Sequence, residues 1–150
     1  MADGVDVILQ MWLSRWEQIR HSENQRAQTT NMILVLAAAG LGFIAQKGLK
    51  MSMLPVAVGI FALGTFGALL SVKYYERFRF HFKEATALRG RLDDCVSGMR
   101  LTALYDEASK EQLIEYPRLT RVPLFGFWLA LHIGIALAGA VLLILIATVR

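Results

Sequence analysis

The residues able to do chemistry are few, and their spacing decides which chemistry is open to them. Asp93-Asp94-Cys95 sets two carboxylates beside the only cysteine. An activated thiolate or a metal site would need histidines or further cysteines at ligand spacing. His21, His81 and His132 stand far from that trio and from one another. The trio therefore reads as a solvated helix face beside a small apolar side chain. Gly40-Leu41-Gly42 has the glycines of a phosphate loop but lies in an apolar run with no strand before it. No local Ser–His–acid grouping is present. The expectation is a protein that is not an enzyme and carries no metal or cofactor.

His132 is different because of what surrounds it. It lies about ten residues into residues 122–149, a run without Asp, Glu, Lys or Arg. Two similar runs cover residues 27–46 and 51–72. A bilayer core needs about 20 apolar helical residues, and with 55% hydrophobic residues the chain is more apolar than an ordinary soluble domain. The first run is the weakest, since Gln28, Thr29, Thr30 and Asn31 are polar; its alternative is a buried core helix. The second run follows after only four residues, which favours a hairpin of spans. The expected fold class is all-α: an integral membrane protein with three transmembrane helices (27–46, 51–72 and 122–149) and a cytosolic helical stalk.

Charge sets the expected topology. Residues 1–26 carry Arg15, Arg20 and Arg26, and residues 73–121 carry ten further basic residues, against Lys47 and Lys50 between the first two spans. The positive-inside rule puts the N-terminus in the cytoplasm and the C-terminal Arg150 outside an inner membrane. Residues 1–26 show no signal-peptide pattern.

Two cytosolic helices must position the remaining aromatic residues. Val5, Leu9, Trp12, Trp16 and Ile19 share one helical face, opposite Arg15, Glu17 and Arg20. Behind the second span, Tyr75, Phe78, Phe82, Ala85, Leu88, Leu92, Val96 and Met99 form a second face, with Gly90 and Gly98 as weak points. Tyr74 and Tyr75 fall at interface level, with Lys73, Arg77 and Arg79 reaching toward head groups. Phe80 points away from the apolar face. Trp12, Trp16, Phe78, Phe80 and Phe82 are the candidate contacts with another subunit or partner. Residues 106–116 read as a further short helix, and Pro123 as the opening of the third span.

Within the spans, small residues recur four apart: Ala38 and Gly42; Gly64 and Ala68; Gly67 and Ser71; Ala130, Gly134 and Ala138. Such spacing lets helices approach closely in lipid, and three spans leave some of these faces for homo-oligomerisation. Asn31, Thr65 and His132 are candidate pore or gate residues. For His132, hydrogen bonding to a neighbouring helix is the favoured alternative. The absence of charged residues inside the spans argues against an ion-coupled carrier. Eight acids nearly balance the ten bases of residues 73–121, so nucleic acid is not an expected partner.

An amphipathic N-terminal helix ending in Ser22-Glu23-Asn24-Gln25-Arg26, a tight two-span hairpin, and Lys73-Tyr74-Tyr75-Glu76-Arg77-Phe78 opening a cytosolic helix resemble the SLATT-type small bacterial membrane effectors (SMODS- and SLOG-associated two-transmembrane proteins). The resemblance covers residues 1–100; the third span departs from it. It implies a membrane effector without catalytic residues that forms pores or disturbs the membrane in anti-phage defence. The functional expectation is an oligomeric inner-membrane effector triggered by a cytosolic protein or small molecule. The alternative is an anchor that holds a soluble partner at the bilayer.

Overall fold

The computed structural model describes residues 2–149, with side chains described from Gly4 to Val149. Arg150, which the charge pattern puts outside the membrane, lies beyond the described residues. The chain forms α1 (Ala2–Lys47), a 3-10 turn (Met51–Met53), α2 (Leu54–Cys95), α3 (Leu101–Glu115), a second 3-10 turn (Leu119–Arg121) and α4 (Leu124–Thr148). No strand occurs among the described residues.

Each helix end has a local cause. α1 stops at Gly48, whose φ of 79° is available to glycine without steric cost. Its N–H donates to the Ile44 carbonyl at 2.8 Å. Pro55 sits in the first turn of α2, where its missing N–H leaves no helix bond unmade. Of the two glycines expected to weaken α2, Gly90 stays helical. Gly98 lies in the turn beyond Cys95, with φ 85°. α4 begins one residue after Pro123.

The start of α3 differs from expectation. The pattern pointed to residues 106–116, but the helix begins at Leu101. Its own N-cap residue, Arg100, makes no side-chain cap. Asp93 supplies it from the end of α2: the Leu101 N–H donates to Oδ1 at 2.8 Å and the Thr102 N–H to Oδ2 at 2.9 Å. A carboxylate that takes two of the free N–H groups at a helix start stabilises that start. The Asp in Asp93-Asp94-Cys95 is therefore more than a solvated face. Hydrogen bonds from Thr102 and Leu101, with Arg89 nearby, hold its carboxyl below the ordinary value of 3.8.

The contacts divide the chain into two units. The first contains α1 up to Glu23 together with Tyr75–Pro123. Its α1 face is Val5, Ile8, Trp12, Trp16 and Ile19; Leu9 turns outward at 40% exposure, so Ile8 takes the place expected for it. Trp16 meets Phe82 edge to face at 6.4 Å, and Phe82 stacks on Phe78 at 5.9 Å. Arg15, expected opposite the apolar face, reaches α2 instead, with Nε 3.3 Å from Glu84, which also pairs with His81. Arg89, only 8% exposed, lies 4.1 Å over the Tyr105 ring and ties α3 to α2.

The second unit contains Asn24–Tyr74 and α4. α1, α2 and α4 are each long and apolar enough to cross a membrane. Their most apolar windows are only 17% to 28% buried within the protein, so the first run is not a buried core helix. Met32, Val35, Phe66, Leu69, Leu137 and Ile144 all face outward, while Thr30, Ser71 and His132 are interior. In water such a surface would be a continuous apolar patch; against lipid it is the matching one.

The Asp93 cap has a pH dependence with a definite sign. A carboxyl whose pKa is lowered by folding stabilises the fold above its unfolded value, and that contribution disappears as pH falls through the folded value. Amide hydrogen exchange at Leu101 and Thr102 should be protected at neutral pH and lose protection below the ordinary carboxylate range. Asp93→Ala should remove that protection at every pH.

Candidate functional site

The second unit is organised by a seam between α2 and α4. A Cβ added at Gly139 would strike the backbone of Phe61, one at Gly64 the backbone of Ala136, and one at Gly67 the ring of His132. Each step of three or four residues along α2 is matched by three or four residues back along α4. The two helices therefore run antiparallel, and their contact points are one turn apart. α1 packs against α2 as well, with Ile60 and Val56 side chains covering Gly40.

One end of this unit is apolar. Ile44, Met53, Ala57, Ile60 and Ile146 form a buried cluster, with Leu49, Leu54, Leu142 and Leu143 against it. The other end is polar. His132 is 1% exposed, and its Nε2 lies 3.3 Å from the Thr30 hydroxyl. Whichever ring nitrogen carries the proton, Nδ1 has no hydrogen-bond partner among the described residues. Thr30, Gly67 and His132 thus form one layer, with one residue from each helix.

A second layer lies one helical turn away on all three helices. Arg26 precedes Thr30 by four residues, Ser71 follows Gly67 by four, and Trp128 precedes His132 by four. The Arg26 guanidinium carbon is 5.4 Å from the centre of the Trp128 ring, in cation–π geometry. The Arg26 Nε, Ser71 Oγ and Trp128 Nε1 atoms are all buried without a hydrogen-bond partner among the described residues.

The sequence-derived candidates fall in different places. Of Asn31, Thr65 and His132, only His132 is interior; Asn31 and Thr65 are exposed, and Thr65 donates to the Phe61 carbonyl at 2.9 Å. The protomer does not bring the three together. Gly64 lies in the seam, and Ala68 and Ala138 are half-buried. Ala38, Gly42, Ala130 and Gly134 are exposed, with open space where a Cβ on either glycine would sit. Among the aromatic candidates, Trp12 meets Trp16 at 6.1 Å, and Phe82 also meets Tyr105 at 6.4 Å. Trp12, Trp16, Phe78 and Phe82 thus find ring contacts inside the first unit, whereas Phe80 is 57% exposed and meets the ring of its neighbour His81.

From sequence, Ser71 counted only as a small polar residue four from Gly67 and Arg26 as a topology charge, and Trp128 was not singled out. The available signal was their shared spacing of four from Thr30, Gly67 and His132. Among the described residues, no three of His, Cys, Asp and Glu gather where they could hold a metal ion. No protein-family model, curated protein or solved structure matches the chain. The class established by the geometry is an all-helical protein with three helices fit to span a membrane.

The seam makes a graded prediction for the protein in detergent. Gly67→Ala drives a methyl group into the His132 ring and should cost about 1–3 kcal/mol. Thr30→Val should cost about 1 kcal/mol by leaving the His132 ring without its bond. Gly59→Ala, where a Cβ would meet nothing within 4 Å, should not destabilise the protein. Thermal unfolding followed by helical circular dichroism orders the three.

Proposed function

We propose that this protein is a non-enzymatic, oligomeric inner-membrane effector that alters membrane permeability when its cytosolic helical unit is engaged by a partner or ligand. The observation that carries this reading is the length of two helices. α1 has 46 residues and α2 has 42. At 1.5 Å per residue each extends about 60–70 Å, roughly twice a hydrocarbon core of about 30 Å. Each combines a candidate span with a segment in the first unit, and neither has a break between the two. An event on the polar segments is therefore transmitted to the spans through continuous helix. Three spans are too few to enclose an aqueous path, so a permeability change calls for several copies. The exposed Gly42 and Gly134 offer close-packing positions for them. The resemblance to SLATT-type effectors points the same way.

The anchor reading has its own support. His132, the one ionisable side chain deep in a span, is enclosed by its own protomer. In this reading the spans hold the first unit at the bilayer, and the outward Phe80 meets a soluble partner.

The proposed orientation has a direct test, because Cys95 is the sole thiol and is exposed. A membrane-impermeant maleimide should label Cys95 only after intact spheroplasts are lysed; labelling of intact spheroplasts at the rate seen after lysis would reverse the topology.

For the activity, a membrane-potential dye in cells expressing the protein with its genomic neighbours should report depolarisation on triggering. Polarised cells, together with a detergent-solubilised monomer that carries one soluble partner, would establish the anchor instead.

A further inference from the structure

α3 is a helix without a cover. None of its residues is buried, and every residue from Leu104 to Glu115 is exposed. Ile114 is 80% exposed and Leu104 60%. A lone helix of about 15 residues is marginal in water, and most helices are held by packing one face. Asp93 and Arg89 tie only the first turns of α3 to α2, through Leu101, Thr102 and Tyr105. By their spacing, Leu104, Glu107, Glu111, Ile114 and Glu115 share one exposed face.

Charge decides what can cover that face. α3 has four acids, Asp106, Glu107, Glu111 and Glu115, against one base, Lys110. A lipid surface is a poor cover, since cytoplasmic head groups carry negative charge as well. The complement is a basic face with an apolar centre, and α2 presents one. Arg77, Phe80, Lys83, Ala87 and Arg91 follow one another at steps of three or four and are all exposed. Glu76 and Asp94 lie at its two ends. Among the described residues, Arg77, Lys83, Arg91, Glu107 and Glu111 enter no ion pair. One protomer thus carries both halves of a complementary contact and joins neither to the other.

The course of the chain brings the two halves to one level. α3 starts at Asp93, near the end of α2, and its Tyr105 ring meets Arg89 and Phe82. From there α3 heads back toward the turns of α2 that carry Lys83, Phe80 and Arg77, over about ten residues or ~15 Å. Copies held in one bilayer stand at one depth. The α3 of one copy therefore reaches the α2 of the next in the layer where the opposite charges lie.

We propose that α3 of one copy packs on the outer face of α2 in a second copy, with Glu107 and Glu111 against Arg91 and Lys83 and Ile114 against Phe80. The contact rests on the oligomeric reading above and gives it a cytosolic interface separate from Gly42 and Gly134.

Charge exchange tests it, with the full chain in detergent and light scattering as the measure of association. Lys83→Glu and Glu111→Lys should each weaken association about fivefold. The double variant should recover it, and so should an equimolar mixture of the two single variants, because each restores opposite charges across the contact. Both positions are exposed, so helical circular dichroism should stay unchanged. Undiminished association in both single variants, or no recovery in the double variant, would overturn the contact while leaving an oligomer built on the spans. A monomeric wild-type chain would overturn it together with the oligomeric reading; protection of its α3 amides from exchange by phosphatidylglycerol bilayers, or by a soluble protein, would then name the occupant.

Discussion

The constraint on which the second unit depends is that lipid gives apolar helices no reason to leave it for one another. Leucine against leucine gains little over leucine against an acyl chain, so cohesion must come from closeness and from polar contact. Gly64, Gly67 and Gly139 supply closeness, since the atoms opposite them occupy space a side chain would need. Thr30 and His132 supply polar contact. Many larger apolar side chains are thereby turned outward, the reverse of a soluble bundle, while the interior holds small and polar residues beside the apolar cluster of Ile44, Ile60 and Ile146. Lipid around the unit would account for that outward surface.

The first unit obeys the ordinary rule. Ile19, Ala85 and Leu92 are buried, and aromatic rings fill the space around Phe82. Its long polar side chains also bind helices together. Arg89 lies flat on Tyr105, Arg15 reaches Glu84, and Asp93 caps α3. α1 and α2 each satisfy two opposite packing regimes along a single axis. The change falls near Arg26 on one and Lys73 on the other, where charge first appears beside the apolar runs.

The helices themselves were legible in the sequence. Uncharged runs, the lack of internal breakers and Pro123 before the last run locate them without knowledge of neighbours. What was not legible depends on register between helices. Gly42 and Gly64 sit in similar small-residue patterns, yet only Gly64 lies against another backbone. Leu9 and Ile8 are both apolar, and one residue of helical rotation decides which is covered. Arg15 and Arg89 counted as charges for topology, and nothing local marked them as bridges to Glu84 and Tyr105. The start of α3 was missed because its cap comes from eight residues upstream. The polar start of the first run, which looked like a weakness in the span, includes Thr30, the partner of His132.

The unbroken course of α1 and α2 has a mechanical meaning for the bilayer itself. A helix that ends at the head groups, or kinks there, fixes its depth by backbone. These two have no such stop: only side chains decide which turn meets the interface. Local thickness can then be accommodated by letting the bilayer edge move along the helices, at a cost set by Arg26, Lys73 and the rings of Tyr74, Tyr75 and Trp128. At the opposite boundary the chain turns sharply at Gly48 with Lys47 and Lys50 around it. Across a bilayer, one face would then be pinned by a turn and the other left to adjust.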